Sequence, residues 1–324
     1  MAARPLVYVH GAGVQKRPRD LKDELDQVIF GRPMSASRVA HYSDVRWPPP
    51  GPVGGRPSGA ATDRAARERA VRATAKPQVT PKDAASEIVA ATLAAGRARG
   101  RGPSASGRTG AAAARESAGP SATDTAAARR LVEQLYRSAD RAGERSAAPT
   151  PPVAGITFPD LIFRRVVGAF ASDVVDYLYG DFAERMRAPV RQALLIGPAP
   201  KVIVAHSLGT IITYDVLSEP AFSGFNVELL VTLGSPLGIG NVQARLRNRA
   251  GRPNPVPSAV RAWLNFADQF DPVALDRTLR NEFSPPKDFA TDESVNNAAR
   301  NNHDLTGYLS IGVVRSAIVN AVGQ

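Results

Sequence analysis

Residues 201–217, KVIVAHSLGTIITYDVL, decide the fold. Val202, Ile203 and Val204 form a short continuous apolar run, the pattern of a strand buried on both faces of a parallel sheet. Beyond Ala205-His206-Ser207-Leu208-Gly209 the period changes, and Ile211, Ile212, Val216 and Leu217 recur at helical spacing. The reading is a strand, a very tight turn and a helix, with one serine at the apex. Small residues on both sides of that serine let the chain reverse sharply and lift the hydroxyl out of the sheet. The following helix directs its amide end at whatever the hydroxyl approaches.

Strands and helices alternate on either side of this stretch. PLVYV at 5–9 is a short strand closed by the turn His10-Gly11-Ala12-Gly13. Residues 20–30 place Leu21, Leu25, Val28 and Ile29 on one helical face, and 37–47 (SRVAHYSDVRW) reads as a second strand with His41 in its middle. Strand, glycine turn, helix, strand is a βαβ opening and implies a parallel sheet. Between 159 and 195, apolar residues at spacings of three and four predict one long or two consecutive amphipathic helices, with Pro189 as a break or a helix start. VELLVTL at 227–233 is a buried strand ending at Gly234. VRAWLNF at 260–266 is another, ending in Ala267-Asp268-Gln269-Phe270-Asp271-Pro272-Val273. A weaker extended segment lies near 288–295, and a last helix runs over about 305–322. The expected fold is α/β: one doubly wound, mostly parallel sheet of about six strands in a domain of about 220 residues. Residues 1–47 and 156–324 supply this core, and 48–155 interrupt it.

The interruption opens on PPPGPVGG and is dominated by Ala, Arg, Gly and Ser. Large apolar side chains are scarce, so little surface is available to offset ordering entropy, and a mostly disordered or loosely helical insert is expected. Helix is expected only at 83–93 and at 123–142, where Leu131, Leu135 and Tyr136 lie. Net charge over 324 residues is +11, and residues 51–150 hold 17 Lys and Arg against 9 Asp and Glu. Basicity therefore belongs to one segment, which suits peripheral contact with an anionic membrane. Few aromatics and no recognised motif speak against a specific nucleic-acid partner. A lid, a surface-binding element and a tolerated loop expansion all remain open for the insert.

An apolar fraction of 43% is ample for a core, and the lack of cysteine excludes disulfides, thiolate catalysis and Cys-ligated metal. Neither a signal-peptide pattern nor a membrane-spanning run is evident, so a cytoplasmic protein is expected, with signal-independent export left open. A serine that performs acyl transfer needs a base, a carboxylate to orient it and amides for the oxyanion. The histidines are His10, His41, His206 and His303. His10 sits in the glycine turn, and His206 is expected to point away from the Ser207 hydroxyl. Only His303, at the mouth of the final helix, follows the serine in the chain. Asp268 and Asp271 are the candidate carboxylates after the intervening strand.

The Ala205–Gly209 turn resembles the nucleophile elbow of the α/β-hydrolase superfamily, G-x-S-x-G, with Ala205 in place of the first glycine. Asp271-Pro272-Val273 is similar to the D-P-V turn that holds the triad acid in many lipase-like members, which favours Asp271 over Asp268. The order Ser207, Asp271, His303 is the superfamily's order. Its H-G-x-G turn implies that Ala12 and Leu208 donate the oxyanion amides, with His10, Gly11, Gly13, His206 and Gly209 in support. The resemblance covers both ends of the chain but not the insert, and it implies a minimal member without the two edge strands of larger ones. HSLGTIITYDVL, LGSPLG and FADQFDPVA look more like lipases or phospholipases than peptidases or haloalkane dehalogenases. The resemblance implies a serine esterase or lipase acting on ester or lipid substrates, with no metal and no organic cofactor. A thioesterase or amidase would use the same residues, and a non-catalytic binding module on this fold is the remaining alternative.

Overall fold

The central strands have two apolar faces, and each face recruits its own layer of helices. In β1 (Leu6–Val9), Val7 and Val9 belong to one cluster of buried side chains and Leu6 and Tyr8 to another. β3 (Lys201–His206) divides in the same way, with Ile203 and Ala205 on one side and Val202 and Val204 on the other. Successive side chains of a strand point to opposite faces, so a strand that is apolar throughout must be covered twice. The computed structural model describes residues 3–47, 59–76, 78–99, 120–146, 158–246, 254–286, 289–297 and 301–323. With β2 (Ser37–Ala40), β4 (Val227–Leu233), β5 (Trp263–Asp268) and β6 (Ala290–Val295), these strands form one all-parallel sheet in the order β2-β1-β3-β4-β5-β6. The chain starts in β1, moves out to β2 and returns past β1 to β3. That reversal puts a switch point between β1 and β3, where the loops leaving the two strands diverge and leave a crevice.

The helices of the described residues are α1 (Pro18–Phe30), α2 (Ser43–Arg46), α3 (Gly59–Thr74), α4 (Pro81–Arg99), α5 (Ala122–Ser146), α6 (Phe158–Tyr179), α7 (Ala183–Leu195), α8 (Leu208–Leu217), α9 (Gly240–Leu246), α10 (Leu305–Ser310) and α11 (Gly312–Val322). Helices α1, α10 and α11 cover one face of the sheet with Leu21, Leu25, Ile29, Leu309, Val314 and Ile318. Helices α6, α7 and α8 cover the other. This is an α/β architecture compatible with a doubly wound fold.

Several elements depart from the expectation. β2 stops at Ala40 and the chain coils into α2, so His41 lies just past the strand, with its Nε2 3.0 Å from the Lys16 carbonyl. The break between α6 and α7 falls at Gly180, and Pro189 lies inside α7. A Cβ at Gly180 would stand 2.8 Å from the Asp176 carbonyl, so this glycine allows the tight exit from α6. The final helix is broken at Ile311 into α10 and α11.

The insert is the largest departure. Of its three described helices, α4 and α5 contain the helices expected at 83–93 and 123–142, whereas α3 was not expected, and the expectation of little burial fails for all three. Ala84, Ala85, Ile88, Val89, Ala128, Leu131, Val132, Leu135, Tyr136 and Ala139 join the same buried cluster as Phe163, Val167 and Phe170 of α6. Alanine is the strongest helix former, and its small side chain lets backbones approach. A sequence poor in large residues can therefore bury helices when a neighbour such as α6 supplies the bulk. Polar ties add direction. The Arg164 guanidinium pairs with Asp140 at 2.7 and 2.9 Å and donates to the Val79 carbonyl at 2.9 Å. Tyr136 Oη lies 2.7 Å from Thr74 Oγ1. The expectation for 48–58, 77, 100–119 and 147–157 falls outside the described residues. Among the described residues, no helix is long and apolar enough to cross a membrane.

Candidate active site

Ser207 stands between the last residue of β3 and the first of α8, with φ 55° and ψ −128°. It is the only non-glycine residue at positive φ among the described residues. Such a conformation costs about 1–3 kcal/mol and persists only where its surroundings hold it. Here the Ser207 amide donates to the Leu233 carbonyl at 3.1 Å, while Thr210 donates to the Ser207 carbonyl through its amide at 2.9 Å and its hydroxyl at 2.7 Å. The first turn of α8 lies directly on the end of β1: a Cβ at Gly209 would stand 2.4 Å from the His10 carbonyl oxygen and 2.6 Å from that of Val9. The Leu208 N–H, the first amide of α8, has no intrahelical acceptor and carries the positive end of the helix dipole.

The structure brings Ser207, His303 and Asp271 into one hydrogen-bonded chain. His303 Nε2 is 2.8 Å from Ser207 Oγ, and His303 Nδ1 is 2.8 and 2.9 Å from the two Asp271 oxygens. All three residues are buried. Asp271 also accepts from the amides of Val273 (2.8 Å) and Ala274 (3.1 Å) and from the Tyr308 hydroxyl (2.8 Å). Burial alone would raise its pKa, but the His303 charge and these donors outweigh burial and hold the carboxyl below its ordinary range. An ionised Asp271 only accepts, so a neutral His303 carries its proton on Nδ1 and offers the Nε2 lone pair to the serine hydroxyl. That arrangement can take a proton from Ser207. Gly234, at φ 52°, keeps the pair together, since a Cβ there would stand 2.6 Å from Asp271 Oδ2 and 3.0 Å from His303 Nδ1.

Asp268, the alternative carboxylate, does not reach the imidazole. Its Oδ1 accepts from the Phe270 amide at 2.6 Å and its Oδ2 from the Asn297 amide. Asn297 in turn donates to the Asn302 and Asp304 carbonyls at 3.1 and 2.9 Å, so Asp268 fixes the loop that carries His303. Tyr308 joins the two aspartates: it donates to Asp271 and accepts from the Asp268 amide at 2.9 Å. Sequence reading missed Tyr308. Its only signal is a phenol on the apolar side of the helix that follows His303.

His206 makes no bond to the serine hydroxyl. Its ring packs on that of His303 at 4.6 Å between centroids, and its Nε2 donates to the His303 carbonyl at 2.9 Å. Burial pushes its pKa down to about 3, so it is neutral. The same ring makes Gly11 necessary, because a Cβ there would stand 2.8 Å from His206 Nδ1. His10 is likewise lowered by burial to about 3. Its Nε2 accepts from the Tyr42 amide at 3.1 Å, so its Nδ1 donates to the Gly11 carbonyl at 2.8 Å. The Tyr42 hydroxyl reaches the same carbonyl at 3.0 Å. With the Gly11 oxygen pinned on that side, the trans peptide turns the Ala12 N–H the opposite way.

Gly13, at φ 85°, donates its amide to Asp173 Oδ2 of α6 at 2.7 Å. Trp47 Nε1 also donates to Asp173, at 3.0 Å, and Arg46 Nε lies 3.5 Å away. Burial raises the Asp173 pKa, and Arg46 and these donors oppose that shift. Arg46 pairs with Asp176 at 2.6 Å, and Arg67 of α3 donates to the Arg46 carbonyl at 3.0 Å and lies 3.5 Å from Asp176. The glycine turn is thus hung on a buried charge cluster that includes the insert. Sequence reading missed these residues as well; acidic residues on a largely apolar helix (ASDVVDY) were the available signal.

A cleft of about 380 Å³ opens over Ser207 and His303, walled by the glycine turn, by Val166, Ala169 and Phe170 of α6, and by Asn301 and Leu305. Among the described residues, no group of three or more His, Asp or Glu converges to hold a metal ion. Comparison with family models, curated proteins and solved structures finds no match for this chain.

Proposed function

We propose that the protein is a serine hydrolase of the α/β-hydrolase superfamily that cleaves carboxylic esters, lipid or lipid-like, through an acyl-enzyme on Ser207. The observation that carries this reading is the 2.8 Å contact between Ser207 Oγ and an imidazole whose other nitrogen faces a buried carboxylate. His303 takes the hydroxyl proton as Ser207 attacks the ester carbonyl, and Asp271 stabilises the imidazolium that forms. The negative charge that develops on the carbonyl oxygen is met by the Leu208 and Ala12 amides, both held in place before substrate arrives. The proton passes from His303 to the departing alcohol, and water, activated by the same imidazole, frees the acyl group. The elbow motif, the Ser-Asp-His chain order and the strained backbone at Ser207 support the superfamily placement.

Wild type and Ser207→Ala, treated with a fluorophosphonate and read by intact mass, test the proposal. A single adduct on wild type and none on the variant, together with ester turnover lost in the variant, is the expected result. Undiminished turnover by Ser207→Ala would overturn it.

A further inference from the structure

A second groove, of about 280 Å³, runs on from the catalytic cleft, and the two share Gly13, Val14, Arg165 and Ala169. Its walls beyond that junction are Trp47 and Val71, the latter contributed by α3 of the insert. Val14, at the junction, is 56% exposed and so within reach of a bound chain. α3 also contributes Glu68 and Arg72, an i,i+4 pair 3.9 Å apart on either side of Val71. The groove is therefore mostly apolar, with charged side chains (Arg165, Glu68 and Arg72) along its rim.

Its direction relative to the reacting atoms identifies what it holds. In the reading proposed above, on which this inference rests, the ester carbonyl oxygen lies toward the Ala12 and Leu208 amides. The leaving oxygen must approach His303 Nε2 to collect its proton, so the alcohol portion extends toward the Asn301–Leu305 side of the cleft. The acyl chain, on the other side of the carbonyl carbon, extends past Gly13 and Val14. That is where the apolar groove begins. We infer that this groove is the acyl-chain site, that it selects esters of unbranched apolar acyl groups over acetyl esters, and that the insert supplies part of its wall through Val71. Continuity with the catalytic cleft and apolar complementarity commit the groove to this occupant.

The test is the ratio of kcat/KM for hexanoyl and acetyl esters of one alcohol. A methylene fully removed from water raises the constant about fourfold, and a half-buried one about twofold, so four methylenes should raise the ratio by at least about tenfold. Val14→Trp obstructs the junction from an exposed position and should cut the ratio at least about fivefold. Val71→Thr makes the wall polar with little change of shape and should also reduce it. Val313→Trp, an equally exposed change on α11, should leave it unchanged. A ratio near one in wild type, or a ratio that Val14→Trp and Val71→Thr leave as high as Val313→Trp does, would overturn the acyl-site assignment while the phosphonate adduct on Ser207 kept the hydrolase reading. Absence of both adduct and turnover would remove the two together.

Discussion

Lowering the pH from 7.5 to 5.5 is expected to cost the fold about 3 kcal/mol through His10 and His206 alone. Each imidazole has a pKa of about 6.5 in an unfolded chain, and burial lowers it to about 3 in the folded protein. At pH 5.5 the unfolded chain binds nearly one more proton at each site than the native state does. Stability therefore rises with pH in this range, and it is lost as pH falls below about 6.5, the loss continuing to about pH 3. Each site costs RT ln(1 + 10) at pH 5.5, between about 1 and 2 kcal/mol, and almost nothing at pH 7.5. Asp173, raised by burial, acts with the opposite sign, because its folded form takes up a proton at higher pH than its unfolded form does. The comparison must therefore be made between wild type and a variant. His206→Asn keeps a donor for the His303 carbonyl and removes one titration, so it should lose between about 1 and 2 kcal/mol less than wild type between the two pH values. Urea unfolding at pH 7.5 and 5.5 measures both losses. If wild type and His206→Asn lose the same stability within about 0.3 kcal/mol, the native His206 is not the buried neutral group described above.

Asp271→Asn should lower kcat about 10³- to 10⁴-fold on an ester that wild type cleaves, with the fold intact. Asp268→Asn should remain within about tenfold of wild type, because Asp268 reaches His303 only through the Asn297 loop; equal losses would reverse the choice of acid. Gly209→Ala sets a methyl against two backbone carbonyls that cannot move aside, and a loss of about 3 kcal/mol or more is expected by chemical denaturation. Wild-type stability in that variant would contradict the close approach of α8 to β1. Arg67→Ala removes a buried guanidinium from the Asp176 cluster and should cost about 3 kcal/mol, read the same way.

The sheet was legible because its strands announce themselves locally. An unbroken run such as VIVA or ELLVTL allows few readings, and the change of period at Ser207 marks strand and helix within a few residues of their bounds. Residues 43–46 were misread because four residues are too few to display a helical period, and Trp47 looked like strand material. In the site, residue type and chain order nominate Ser207, His303 and two aspartates. Between them, only the resemblance of Asp271-Pro272-Val273 to a family turn favoured Asp271; which carboxylate faces the imidazole is a matter of loop geometry that no spacing encodes. Tyr308 and Gly234 act only through atoms opposite them, from elements 37 residues or more apart in the chain, and alone they read as a core aromatic and a turn.

The insert was misjudged for a related reason. Counting large apolar residues measures what a segment can bury by itself, whereas α3, α4 and α5 bury alanines against α6, whose bulk lies outside the segment. The buried charges were overlooked for the same reason. Arg46, Arg67, Asp173 and Asp176 read singly as solvated positions, yet segments far apart in the chain bring them together out of water. Desolvating four such groups offsets most of their attraction, so the cluster adds little net stability. Its consequence is for specificity: an insert packed in any other register would leave a charge buried without its partner, a state disfavoured by several kcal/mol. The loss expected for Arg67→Ala tests this assignment. Since Gly13 hangs on Asp173, the packing that seats the insert is the same packing that holds the turn bearing the Ala12 amide. On this account the insert braces the turn that carries Ala12, and the groove proposed above between α3 and that turn follows from the same contact.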